Sequence, residues 1–233
     1  MYKYQPKTKE ELIEAIEQEI YEIQGTPDNP NWEADLNCID TSLITDMSYL
    51  FSDKTGLDRF NGNISEWDVR NVVNMSWMFT NSEFNRNINK WNLSNVVDMS
   101  GMFCCSEFNK NISSWNVSNV KYMSGMFAGS KFNQNISKWD VSNVKNMSRM
   151  FIGSDFNQDI SGWNIKNVKY MSGMFCCSEF NKDISNWNLS NVRDKEDIIK
   201  NTPLEKRLQA QGIDINDENE DIDNDEVEFE FGR

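Results

Sequence analysis

Five cysteines, a run of carboxylates and one column of lysines are the side chains whose types and spacing suit chemistry. Cys38 stands alone, while Cys104-Cys105 and Cys176-Cys177 are vicinal pairs. A thiolate is a nucleophile, a metal ligand and a redox group, so the pairs raise a redox or metal role. Their setting favours packing. Both fill a slot held elsewhere by Thr80-Asn81, Ala128-Gly129 or Ile152-Gly153. The equivalent cysteines fall three repeat units apart, roughly 14 Å at strand spacing, which is beyond disulfide reach. The chain contains no histidine, so the pairs do not resemble a zinc site. The same absence removes the commonest general base and the Cys-His and Ser-His arrangements. With no phosphate-binding glycine loop either, the expectation is a non-enzymatic protein with no catalytic, cofactor-binding or metal site.

The carboxylates Asp217, Asp221, Asp223, Asp225 and Glu228, with Asn219, imitate the ligand spacing of a calcium loop. Ile222 stands where that loop needs glycine, and no helix pair flanks it. A disordered acidic tail over 213–233 is the expected reading. The basic column is Lys121, Lys145, Lys169 and Arg193, with Tyr122 and Tyr170 at the next position. Two readings stay open for it: a solvated stripe that keeps neighbouring edges soluble, or a strip on which the acidic tail lies, Phe229 and Phe231 reaching an apolar spot. The net charge of -14 is divided unevenly. Residues 1–56 carry 4 basic and 12 acidic side chains, residues 57–192 carry 13 and 11, and residues 193–233 carry 6 and 14. Such acidity speaks against nucleic acid or an anionic membrane as partner.

All of these groups sit on a strict repeat. Phe60, Phe84, Phe108, Phe132, Phe156 and Phe180 are each 24 residues apart, and Trp67, Trp91, Trp115, Trp139, Trp163 and Trp187 keep the same interval. A degenerate leading unit, "IDTSLITDMSYLF" at 39–51, matches "WDVRNVVNMSWMF" at 67–79 after a four-residue insertion near Asp53 to Gly56. A fixed period of this length marks stacked supersecondary units. One unit offers about eight apolar side chains at roughly 1.5–3 kcal/mol each, against about 1–2 kcal/mol per residue to order its backbone. A single unit should therefore not fold, and stacking supplies the difference.

The expected fold is a repeat solenoid with a short parallel strand plus a turn or short helix in each 24-residue coil. The Trp163-x-Ile165 step has period 2 and predicts the strand. Asn71, Asn95, Asn119, Asn143, Asn167 and Asn191 form one predicted structural ladder, because an amide can satisfy turn backbone in its own coil and the next. The Asn61 and Ser76 columns are read the same way. Residues 1–38 predict a helical N-terminal cap, from a Thr8 to Glu11 capping box and Leu12, Ile16, Ile20 and Ile23 at helical spacing. Residues 39–193 form the repeats, and 194–212, with Ile198, Ile199, Leu204, Leu208 and Pro203, a second helical cap. Asp68, Asn92, Asn116, Asp140, Asn164 and Asn188 follow the tryptophans and are the candidate partner-binding face, a polar surface expected to point outward from the strands. Plain solvated strand is the competing reading of that column.

The unit "FNQNISKWDVSNVKNMSRMF" at 132–151 resembles the repeat of the BspA-type leucine-rich-repeat surface proteins, and the likeness covers roughly residues 39–193. That resemblance implies a right-handed, leucine-rich-repeat-like solenoid and a part in adhesion or host contact at a bacterial surface. The asparagine column falls one residue before the place usual in leucine-rich repeats, where Val72, Val96, Val120, Val144 and Val168 stand. "MYKYQPKTKEELIEAIEQEI" has no apolar signal core and no lipobox cysteine, and no stretch reads as membrane-spanning. The start points to the cytoplasm and the resemblance to the cell surface. The functional expectation is a scaffold for protein interaction. The alternative is a carbohydrate-binding adhesin that stacks sugars on Tyr49, Trp77, Tyr122 and Tyr170, with the exposure of those rings as the discriminating observation.

Overall fold

The apolar residues that recur in threes close β-turns. In the coil after Phe156, the Trp163 N–H bonds the Ile160 carbonyl at 3.0 Å, Val168 bonds Ile165 at 3.0 Å and Met174 bonds Met171 at 3.2 Å. Both ends of each turn are buried. A β-turn brings its first and fourth residues close together, so each three-residue step returns a side chain to the interior, and in the first two turns the central residues lie toward solvent while Gly173 of the third is buried. This geometry comes from a computed structural model that describes residues 2–212. The segment 213–233, with its calcium-like spacing and its expected disorder or docking on the basic column, lies outside the described residues.

Successive coils pile up in register. Parallel bridges join Asp46 to Asn74, Asn74 to Asp98, Asp98 to Tyr122, Tyr122 to Asn146, Asn146 to Tyr170 and Tyr170 to Asp194. Beyond each bridge, alternate N–H groups reach the next coil: Met75 to Asp98, Trp77 to Ser100, Phe79 to Met102 and Asn81 to Cys104, at 2.8–2.9 Å. The strand predicted at the Trp-x-Ile step does not form there, and only isolated bridges occur among the described residues. The reason is donor supply. The tryptophan and valine N–H groups on that side are committed to turns within their own coil.

Side chains join the coils on that side instead. Trp91, Trp115, Trp139 and Trp163 each donate Nε1–H to the carbonyl of an isoleucine one coil back, at 3.1–3.2 Å. In the Asn61 column, each Oδ1 accepts the N–H of the asparagine one coil on, from Asn85 on Asn61 to Asn181 on Asn157, at 2.9–3.0 Å. The interior between the two sides is aromatic. Phe79, Phe103, Phe127, Phe151 and Phe175 stack with centroids 5.4–5.7 Å apart, and the Phe84 to Phe180 column runs beside them.

Two corners of every full coil hold left-handed backbone. One column is Trp77, Gly101, Gly125, Arg149, Gly173 and Asp197; the other is Asn81, Cys105, Gly129, Gly153, Cys177 and Asn201. Gly101 is required for a second reason as well, since a Cβ there would come within 2.2 Å of the Trp77 ring. The cysteines thus occupy a slot whose constraint is conformational, which side-chain size alone does not express.

Helices close both ends. α1 (Lys9–Glu17) is capped by Thr8, whose hydroxyl accepts the Glu11 N–H at 3.2 Å, and it buries Leu12, Ala15 and Ile16. Lys9 Nζ ties it to the leading coil through Asp46 and Ser48 Oγ. After Glu17 the chain widens into a π-helical turn, Gln18–Ile23. Ile20 stays buried but Ile23 is 53% exposed, so the predicted apolar stripe stops one residue type early, where the wider turn rotates the chain off the 3.6-residue period. α2 (Pro203–Ala210) starts at Pro203 behind the cap residue Thr202 and buries Leu204. Its Arg207 donates to the Asn181 carbonyl at 3.0 Å. No helix among the described residues is long and apolar enough to cross a membrane.

Candidate interaction surface

The column after the tryptophans does not stand on a flat sheet face. Each member accepts the N–H two residues on: Asp68 from Arg70, Asn92 from Ser94, Asn116 from Ser118, Asp140 from Ser142, Asn164 from Lys166 and Asn188 from Ser190, at 2.9–3.3 Å. These are Asx turns. Oδ1 fixes the corner, and the other polar atom is left for solvent or a partner in every member but Asp68, whose Oδ2 pairs with Arg70 at 2.7 Å. All but Asp68 are exposed.

A second Asx column lies one turn earlier and was not singled out from the sequence. Asn63, Asn87, Asn111, Asn135, Asp159 and Asp183 each accept the N–H two residues on, at 2.9–3.2 Å. Its signal is the recurring Asx-Ile-Ser or Asx-Ile-Asn triplet. Among these turn residues, Asp140 has its carboxyl held below the usual range by the hydroxyl and N–H of Ser142, and Asp159 and Asp183 have theirs held there by the N–H and hydroxyl of Ser161 and Ser185. Since the folded pKa lies below the unfolded value of about 3.9, each stabilises the fold above that value. The contribution disappears as pH falls through the folded pKa. Replacing all three by Asn keeps the acceptor and removes the titration, so urea midpoints measured at about pH 5 and about pH 3 should fall less in the triple variant than in the native chain.

The Asn71 column bridges coils. Asn71 Nδ2 donates to the Ser42 carbonyl, Asn95 to Arg70, Asn119 to Ser94, Asn143 to Ser118, Asn167 to Ser142 and Asn191 to Lys166, at 2.6–3.2 Å. Each amide takes up a carbonyl left open by the turn in the preceding coil.

The basic column is continuous in space. Lys121 N–H bonds the Val97 carbonyl, Lys145 bonds Lys121, Lys169 bonds Lys145 and Arg193 bonds Lys169, at 2.8–2.9 Å. Lys121, Lys145 and Arg193 are exposed and Lys169 is half-buried, its Nζ 3.4 Å from the Asn191 carbonyl. Ion pairs among the described residues join other groups and leave these four out. Earlier rungs of the same column are Thr45, Val73 and Val97, so the backbone accepts neutral side chains here.

The four candidate sugar-stacking rings divide into two pairs. Tyr122 and Tyr170 are 41% and 36% exposed and lie two rungs apart with Asn146 between them. Tyr49 and Trp77 stack on each other at 6.2 Å, Lys54 Nζ lies 3.9 Å over the Tyr49 ring, and Trp77 rests on Gly101. Their faces are therefore already covered. An open notch of about 480 Å³, lined by Glu33, Asn63, Arg86, Asn87 and Lys90, holds Arg86 paired to Glu33 at 3.1 Å. No three of Cys, Asp and Glu converge as a metal centre among the described residues.

Comparison with known proteins returns one family. The model described as "Mycoplasma protein of unknown function, DUF285" matches residues 22–131 and again residues 104–210. No curated protein and no solved structure matches the chain.

Proposed function

Since the chain belongs to the family described as Mycoplasma protein of unknown function, DUF285, we propose that it is a non-enzymatic repeat scaffold whose in-register surface holds a protein partner. In this reading the stacked coils are a leucine-rich-repeat-like solenoid of the BspA type, and bacterial surface or host contact is the setting. The observation that carries it is the column Lys121, Lys145, Lys169 and Arg193, one cation per rung with no ion-pair partner among the described residues. Like charges on adjacent rungs repel. Neutral residues occupy the same column at Thr45, Val73 and Val97, so the fold does not require the charge. A negatively charged partner segment lying along the stack would relieve the repulsion and gain from it.

The second reading, a glycan-binding adhesin, rests on the exposure of Tyr122 and Tyr170 beside those cations. The test uses the full-length chain in pull-downs followed by titration of the purified partner. Reversing all four cations to Glu should abolish retention of a protein partner. Asn92, Asn116 and Asn164 changed to Asp keep the turn acceptor, as Asp68 and Asp140 do, while adding charge, and should weaken it. Binding that survives both sets of changes overturns the protein-scaffold reading. Retention of a polysaccharide that is lost on Tyr122→Ala and Tyr170→Ala replaces it with the adhesin.

A further inference from the structure

Cys104-Cys105 and Cys176-Cys177 occupy the same corner of two coils, yet their surroundings differ. In each pair the first thiol is half-buried and the second exposed, and the second residue is left-handed, with φ of 53° at Cys105 and 59° at Cys177. What differs is the corner residue of the following coil. Over Cys177 it is Asn201, whose Nδ2 donates to Sγ at 3.6 Å. Over Cys105 it is Gly129, which has nothing to donate. The same backward reach recurs at Asn81, which donates to Asp53 of the coil before it at 3.2 Å. The two sulfurs are also closer in the second pair, 3.3 Å against 3.7 Å.

We propose that Cys176-Cys177 is a reactive dithiol: Cys177 attacks a small-molecule disulfide and Cys176 resolves the adduct to a reversible disulfide between the neighbours, while Cys104-Cys105 is its unreactive counterpart. In the first step the Cys177 thiolate forms a bond to one sulfur of RSSR, the S–S bond of RSSR breaks, and RS⁻ leaves. In the second, the Cys176 thiol releases its proton to water and its sulfur attacks Cys177 Sγ, expelling the second RS⁻. Two electrons pass from the cysteine sulfurs to RSSR, which ends as two thiols once the leaving groups take up protons.

The surroundings fit these roles. The Asn201 amide, then the Cys176 thiol, hold Cys177 below the usual thiol range. Burial pushes Cys176 up to about 11 and Cys104 up to about 12. Adjacent α-carbons are about 3.8 Å apart, short of the usual range of about 4.4–6.8 Å for a bridged pair. The ring is therefore strained, and a strained, exposed disulfide is readily reduced again.

The experiment treats the reduced full-length protein with oxidised glutathione, quenches with acid at intervals and maps each cysteine by peptide mass. The expected result is loss of two hydrogens from the Cys176-Cys177 peptide, with Cys105 lagging. Cys176→Ser should accumulate glutathione on Cys177. A thiol whose pKa falls by one unit gains about tenfold in thiolate and loses about threefold in nucleophilicity. Since the gain in thiolate outweighs the loss in nucleophilicity, Asn201→Gly should slow Cys177 relative to the native chain, and Gly129→Asn should speed Cys105. Both residues tolerate left-handed backbone. Local unfolding would expose half-buried Cys104 and speed it together with Cys105, so the gain that counts is one at Cys105 with Cys104 unchanged. Equal rates at Cys105 and Cys177 in the native chain overturn the proposal. So does a stable glutathione adduct on Cys177 with Cys176 present, or indifference of both rates to the swaps.

Discussion

Deleting residues 133–156 will leave a folded protein that melts in a single transition, whereas deleting residues 133–144 will abolish that transition. The full-period deletion joins Phe132 to Asn157. That asparagine then meets the Asn109 Oδ1 that Asn133 meets in the native chain at 3.0 Å, and Phe180 meets Phe132 as Phe156 does at 6.3 Å. Every inter-coil bond finds an equivalent partner because the whole set recurs every 24 residues. The cost is one nearest-neighbour interface in a nearly one-dimensional structure. The half-period deletion removes Ile136, Trp139, Val141 and Val144 from the interior and leaves too little chain to travel round a coil. Trp163 loses the Ile136 carbonyl that its Nε1 bonds at 3.2 Å, and Asn157 loses Asn133. Coils on either side then face each other across a gap, each with an uncovered apolar end. Thermal melts followed by near-ultraviolet circular dichroism, which reads the stacked rings, check both outcomes. A cooperative melt in the half-period variant would show that the register carries less of the stability than argued.

The period, the inward residues and the two asparagine ladders were legible because they are properties of columns, and a column needs only the spacing of identical residues. Phe132, Trp139 and Met147 could be placed inside without knowing the backbone between them. The side of the coil that carries the parallel bridges was not legible. The alternation at Trp163-x-Ile165 is as good a strand signal as the sequence contains, yet two consecutive β-turns, each ending on an apolar residue, produce the same alternation where they meet. Left-handed corners give a clearer sign after the fact: Asn81, Gly129, Gly153 and Asn201 are residues suited to positive φ and occur at a fixed place in the period. Cys105 and Cys177 hide that sign, and their neighbours, Gly129 over one and Asn201 over the other, matter only once the stacking order is known. The Asx corners after the tryptophans were visible as a column, but their role in holding turns depends on which N–H is free two residues on.

Replacing Trp139 by alanine is expected to cost about 3–5 kcal/mol, and the same change at Trp187 distinctly less, though both belong to one column. Trp139 is 4% exposed, stacks on Trp115 at 6.3 Å and gives its Nε1–H to the Ile112 carbonyl at 3.1 Å. Truncating it opens a cavity that coils on both sides must line, because turns fixed by their own hydrogen bonds cannot collapse inward. Trp187 is 8% exposed, shares its coil with half-buried Ile184 and Leu189, and has a buried Nε1 with no acceptor among the described residues. Phenylalanine separates the two contributions. At position 139 it removes a hydrogen bond worth about 0.5–1.5 kcal/mol in addition to ring volume, and should destabilise. At position 187 it removes a donor that has no partner among the described residues, and relief of that desolvation offsets the lost volume, so stability should stay level or rise. Chemical denaturation of the four single variants reads these differences through the midpoint at constant slope. A Trp187→Phe variant as damaged as Trp139→Phe would mean that the last full coil is packed as tightly as the interior ones, and that α2 completes the stack where the unpaired indole indicates it only covers it.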